Sequence, residues 1–340
     1  MSTPPDASFD ANFQAPPPPP MPDAEPTGSR ATELRPYAIV VFVLGVIFLG
    51  GGLAKFLPGG IGTGAALCFL GLLWFALSFI RRPYFPDPEP RLSWFEKITG
   101  IFYEPARVFR NLRVHPYWLG ALLTIWVLTT IYSTAFIQRI TPERIVDHTV
   151  EKLSQMGPPF APPPERLEQL RTDQLDALKN PVQRVGGALK SLVGVFVFGA
   201  IAAAISLLLI LVFGGRANFW QVLAVTFYAS VPVVAIQKVL GLVILYLKAP
   251  EDLHPILNQE TTLQDNLGLL FSPANHPVLF VMASFIGITA FYGLWLRAKG
   301  LHYGSTRVSK GAGWGVAIAL WLFLLLFVTV ITALFPGFIS

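Results

Sequence analysis

The chain has 340 residues, 53% of them hydrophobic and only 13% charged, with a mean hydropathy of +0.55. A soluble domain carries roughly 25% charged residues, so this composition excludes a water-soluble fold and points to lipid as the solvent. The formal charge of +5 is modest and no nucleic-acid partner is expected, while the single Cys68, inside an apolar run, excludes an intramolecular disulfide.

Residues 1–36 are polar and proline-rich (MSTPPDASFDANFQAPPPPPMPDAEPTGSR at their start) and read as a disordered cytoplasmic tail without a cleavable signal. Two apolar runs follow, Tyr37–Leu57 and Ile61–Ile80, joined by Pro58–Gly60. Each is about 20 residues long, and ~1.5 Å of rise per residue covers the ~30 Å hydrocarbon core, so 37–80 is expected to form a transmembrane hairpin. After the proline-rich connector Pro83–Pro90, residues 92–113 repeat apolar side chains (Trp94, Phe95, Ile98, Ile101, Phe102, Val108, Phe109, Leu112) at three- and four-residue steps. This spacing predicts an amphipathic helix in the membrane interface, broken where Pro105 opens a second short helix.

Five more runs are expected to span: Tyr117–Ile137, Gly186–Phe213, Phe219–Leu247, Val278–Leu296 and Gly313–Phe335. Between the first and second of these, the polar loop 138–184 holds helix-like stretches at Pro142–Gln155 and Pro164–Asn180, and its seven acidic residues balance seven basic ones. The fold class is therefore all-α: a polytopic transmembrane bundle of about seven spans with one interfacial helix.

Seven spans place the N-terminal segment, 81–116, 214–218 and 297–312 on one side, where they hold 14 Lys or Arg. Most basic residues opposite belong to the charge-balanced 138–184 loop. The positive-inside rule then predicts a cytoplasmic N-terminus, an extracytoplasmic 138–184 loop and an outside C-terminus. The basic strips supply candidate contacts to anionic headgroups or a partner: Lys97, Arg107, Arg110, Arg113, Arg297, Lys299, Arg307 and Lys310. The same cations are also what the topology rule alone requires.

No Asp or Glu lies within any of the seven runs, which argues against a carrier or protease built on buried carboxylates. There is no HExxH or GxSxG, and the five histidines have no metal-ligand spacing, so no catalytic residue, metal or cofactor is expected. Gly311–Gly315 lacks the Lys-Ser/Thr pair of a phosphate loop and reads as a helix-packing motif. Lys238 is the one ionisable residue well inside an apolar run, and is a candidate intramembrane polar site. A straight helix from Phe219 carries it ~28 Å along, near the far interface, where snorkelling is favoured over a substrate contact.

Three stretches carry a family likeness: FEKITGIFYEPARVFRNLRVHPYW (Phe95–Trp118), GGRANFWQVLAVTFYASVPVVA (Gly214–Ala235) and FIGITAFYGLWLRAKGLHYGSTRVSKGAGWGV (Phe285–Val316). Together, from Trp94 to about Leu326, they resemble the Yip1 family, particularly its bacterial members. The resemblance implies a five-span domain over 92–336 with the 37–80 hairpin as an added module. An acidic residue frequent before the third stretch's aromatic is replaced here by Gly287 and Thr289. Eukaryotic relatives act in membrane trafficking and bind small GTPases; this chain lacks their tyrosine- and proline-rich N-terminal motif, so that partner is not carried over. The resemblance implies neither cofactor nor reaction. The expected role is non-enzymatic, in membrane organisation or as an assembly or trafficking partner in a bacterial cytoplasmic membrane. It would act through lipid headgroups, a membrane-protein partner or a second copy. The rival reading is a small-solute permease or transporter subunit lined by Thr226, Ser230, Gln237, Lys238 and Thr289.

Overall fold

The computed structural model describes residues 29–31, 34–54, 60–79, 81–83, 90–155 and 162–334. Most of the expected tail, Pro58 and Gly59 of the expected turn and most of the Pro-rich break in the 138–184 loop lie outside these residues. Helices α1 (Arg35–Leu53) and α2 (Gly60–Leu77) form the hairpin. Their contact is backbone-close because glycines face it: a Cβ on Gly45 would fall 2.5 Å from the Cys68 amide. Lipid gives apolar helices no hydrophobic reason to associate, so close van der Waals approach of this kind must supply the attraction. A three-residue antiparallel ladder pairs β1 (Ser29–Ala31) with β2 (Arg81–Pro83) across the hairpin's ends.

Two short helices follow, α3 (Trp94–Tyr103) and α4 (Pro105–Val114), separated at Glu104. Ser93 and Glu96 form a reciprocal capping box that fixes the start of α3, with Ser93 N donating to Glu96 Oε2 at 2.7 Å. Next come α5 (Leu119–Ile140), α6 (Pro142–Ser154), α7 (Pro164–Lys179), α8 (Pro181–Val212) and α9 (Phe219–Leu247). The long α9 is the centre of the bundle, packing on α3, α4, α5 and α8. Its buried side chains Val222, Leu223, Val225 and Val231 share one core with the small side chains Ala200, Ala203 and Ala204 of α8. Trp74, Trp118, Phe219 and Trp220 form one aromatic cluster, with ring centroids 5.3–6.5 Å apart, that joins the hairpin to the rest.

The expected span Val278–Leu296 is not one helix, and the sequence reading is corrected here. Beyond the one-turn α10 (Leu257–Glu260), the chain forms α11 (Pro277–Ser284) and α12 (Ile288–Gly304), with Phe285–Gly287 between them. The loop segment 265–267 occupies the break. Asp265 Oδ2 accepts the Thr289 amide at 2.7 Å, and Leu267 N donates to Ile286 O at 3.0 Å. A chain inserted into the hydrogen-bond ladder satisfies amides that a continuous helix would use internally. The last helix is α13 (Lys310–Leu334).

Six of these helices (α1, α2, α5, α8, α9 and α13) are each long and apolar enough to cross a membrane. The seventh expected span falls on α11 and α12, neither of which is itself that long. Exposed apolar side chains such as Ile39, Val43 and Ile47 on α1 and Phe323, Phe327 and Val330 on α13 give the bundle a lipid-facing exterior. The protein is an all-α multi-pass membrane protein.

Candidate functional site

One face of the bundle gathers the segments that carry the basic strips, and Gln221 is the residue that ties them. Its side-chain oxygen accepts the Asn218 amide at 3.0 Å and the Thr306 hydroxyl at 3.2 Å, and its amide nitrogen donates to Arg113 O at 2.7 Å. The end of α4, the α8–α9 turn and the α12–α13 turn are thereby joined. Reciprocal backbone bonds between Arg216 and Arg307, at 2.7 and 2.9 Å, reinforce the last two. Gln221 is only 7% exposed, so each bond exchanges a buried polar group's desolvation for a partner.

The candidate cations do not behave alike. Arg107, Arg110, Arg307 and Lys310 are exposed on this face, joined by Arg216, which sequence reasoning passed over. Arg107 is paired with Glu104 at 3.1 Å, and Arg110 lies 5.1 Å from the Tyr303 ring centroid. Arg113 is half-buried beside them. Lys299 folds back over Trp295, 4.2 Å from its ring centroid. Lys97 is corrected most: it is 2% exposed, with Nζ 3.4 Å from His115 O, and burial together with Arg91 lowers its pKa to about 8. It supports the turn into α5 rather than meeting headgroups. The aromatic face also divides: Trp94, Phe95 and Phe102 are exposed, whereas Phe109 is fully buried against Gly300 and Gly304 of α12. Arg297 stands apart, in a cleft between helices α9, α12 and α13.

Toward the opposite face lies a buried polar cluster. Lys238 is 6% exposed, and its Nζ sits 4.8 Å from the Tyr132 ring centroid. The snorkelling expectation is therefore corrected, because the side chain turns into the protein instead of outward. The 248–277 loop covers it: Tyr132 donates to Asn258 O at 2.7 Å, Thr261 to Gln237 O at 3.3 Å and Thr262 to Gly241 O at 2.5 Å. Gln237 donates to Thr289 Oγ1 at 3.2 Å, which links this cluster to the start of α12. Thr226 and Ser230 instead bond to carbonyls of their own helix.

The opposite face also holds a ~710 Å³ recess between α6 and the 248–277 loop, lined by Glu143, Asp147, His148, Glu251, Asp252 and His254 among others. Arg144 anchors this loop by donating to the carbonyls of Pro250, Glu251 and Leu253. Among the described residues no three His, Cys, Asp or Glu side chains are grouped to hold a metal ion.

No curated protein and no solved structure matches the chain. The Yip1 domain family matches residues 99–332, which takes in α4 through α13 and leaves the α1–α2 hairpin outside. That stretch is well over half of the chain and contains both the Gln221-tied basic face and the Lys238 cluster, so the chain belongs to the Yip1 family.

Proposed function

We propose that this protein is a non-enzymatic organiser of a bacterial cytoplasmic membrane, with its basic face in the cytoplasm as the surface that meets anionic headgroups and a membrane-protein partner. The observation that carries this reading is the convergence of Arg107, Arg110, Arg216, Arg307 and Lys310 on one face, with Trp94, Phe95 and Phe102 exposed beside them. Each cation near an anionic leaflet contributes roughly 1 kcal/mol, and aromatic side chains are favoured at the headgroup boundary.

The test is chemical cross-linking in membranes followed by mass spectrometry of co-purified proteins, comparing wild type with a variant carrying Arg107→Gln, Arg110→Gln, Arg307→Gln and Lys310→Gln. Loss of cross-linked partners in the variant supports the reading, and an unchanged set of partners removes it. Orientation is read from alkaline phosphatase fusions, active after Ser340 and inactive after Gly304. The Gln237–Lys238–Thr289 cluster favours a second reading, solute passage. Uptake by proteoliposomes that is lost in Gln237→Leu would replace the first reading by the second.

A further inference from the structure

Arg297 lies seven residues before the end of α12, ~10 Å along a helix axis from the basic face. Side chains on a helix tilt toward its N-terminus, so Arg297 leans toward Gly293 and away from that face. It lines a cleft of about 250 Å³ with Ser230 and Val233 of α9, Thr289 and Gly293 of α12, and Leu320 and Trp321 of α13. Helices α9 and α13 each pack on α12 and have no substantial contact with one another, so a groove lies between them over α12. Among the described residues Arg297 has no ion pair and no hydrogen bond, and the carboxylate beside Thr289, Asp265, is held by the Thr289 amide at 2.7 Å. A guanidinium in an apolar cleft with no counter-charge is costly and calls for an anion. Thr289 adds a second donor at the other end of the cleft: its oxygen accepts Gln237 Nε2 at 3.2 Å, leaving its O–H free of any acceptor among the described residues.

We propose that this cleft binds the phosphate of an anionic glycerophospholipid, paired with the Arg297 guanidinium and the Thr289 hydroxyl, with the lipid's chains lying in the groove between α9 and α13. The planar guanidinium fork matches two phosphate oxygens, and the apolar walls (Val233, Leu320, Trp321) suit acyl chain rather than a hydrated solute. The site differs from the basic face in kind: it holds one lipid inside the bundle instead of attracting a leaflet's surface charge. Its outcome is independent of the function proposed above, since Arg107, Arg110, Arg307 and Lys310 take no part in it.

The test is native mass spectrometry of the full chain in detergent, titrated with phosphatidylglycerol or phosphatidylcholine. Wild type should retain phosphatidylglycerol at least tenfold more strongly than phosphatidylcholine. Arg297→Gln should abolish that preference, and Arg297→Lys should restore only part of it, because a point charge cannot make the paired bonds. Ala290→Phe keeps the charge but fills the cleft wall, and should lose the lipid as Arg297→Gln does. Arg307→Gln combined with Lys310→Gln should lower only the number of loosely held lipids, leaving in place the one tightly held phosphatidylglycerol that Arg297→Gln removes. Equal retention of the two lipids, retention indifferent to both Arg297→Gln and Ala290→Phe, or loss only in the Arg307/Lys310 variant would overturn the proposal. Displacement of the lipid by millimolar inorganic phosphate would reassign the site to a soluble anion, and a cross-linked second copy seated in the cleft would reassign it to self-association.

Discussion

The side-chain amide of Gln221 donates to the backbone carbonyl of Arg113 at 2.7 Å, across 108 residues of sequence, and this one bond fixes the amphipathic α4 to the start of the central helix. The same side chain completes the capping box of α9 with Asn218, so one residue serves both the local helix start and the long-range assembly. Replacing it with leucine leaves the Asn218 amide, the Thr306 hydroxyl and the Arg113 carbonyl unpaired. We expect Gln221→Leu to cost about 3 kcal/mol, the low end of ~1–3 kcal/mol for each of three groups of which two are only partly buried. Thermal unfolding in detergent measures the loss, and trypsin should cut faster at Arg216 and Arg307, whose mutual backbone ladder depends on the same turns.

Phe102 and Phe109 share an amphipathic repeat but not an environment. Phe109 is fully buried against α12, while Phe102 is 43% exposed. Phe109→Ala should therefore destabilise the purified protein by about 3–5 kcal/mol, as for a large aromatic removed from a packed core. Phe102→Ala should stay within ~0.5 kcal/mol in detergent, as an exposed substitution does. Equal losses in the two variants would show that α4 is not seated on α12 as described.

The residue pair also marks what the sequence could disclose. Apolar run length located the long helices within a few residues, and α9 (Phe219–Leu247) to the residue, because run length is set by bilayer thickness. Pro105 disclosed the break between α3 and α4 because its missing amide suits only a first turn. Ser93-Trp-Phe-Glu96 is a capping signal that sharpens the start of α3, and Asn218-Phe-Trp-Gln221 similarly flags the hub residue. What stayed hidden depends on which neighbour a side chain meets. Periodicity places Lys97 and Phe109 on a helix, but only the packing of α4 on Gly300 and Gly304 decides that Phe109 is inside. The break before α12 was equally invisible, since its cause is Asp265, over twenty residues away in sequence.

Thr141 joins α5 to α6 with φ +76°, a conformation that a β-branched side chain rarely adopts. Holding such a residue there costs of order 1–3 kcal/mol. Thr141→Gly relieves the strain but adds flexibility to the unfolded chain, worth roughly 0.5–1 kcal/mol in the other direction. The net expectation is a protein more stable by about 1 kcal/mol, read as a raised Tm. A lowered Tm would mean that the Thr141 side chain makes a contact outweighing its backbone strain.

The recess on the opposite face should respond to mild acid, and His254 is the reason. Its Nδ1 accepts the Ile256 and Leu257 amides, at 3.2 and 3.1 Å, so the ring caps the turn leading into α10 only while that nitrogen is unprotonated. Burial lowers its pKa from 6.5, and nearby His148, Lys152 and Arg144 lower it further. The His148 ring lies 5.0 Å away, edge to face, and Glu143, Asp147, Glu151, Glu251 and Asp252 also line the recess. Below 6.5 the unfolded chain takes up the His254 proton while the folded one still resists it, so stability is complete above that pH and falls as pH drops toward the folded pKa. Carboxylates titrate near pH 4, so the window between about 5 and 6.5 belongs to histidine. Hydrogen exchange at the amides of 256–258 should accelerate between pH 7.5 and pH 5 beyond the intrinsic pH dependence of exchange, while amides at the Gln221 hub should not. His254→Asn retains a side-chain oxygen that can accept the same amides without titrating, and should flatten the response. If the wild-type protection of 256–258 is unchanged at pH 5, the cap does not depend on the neutral ring.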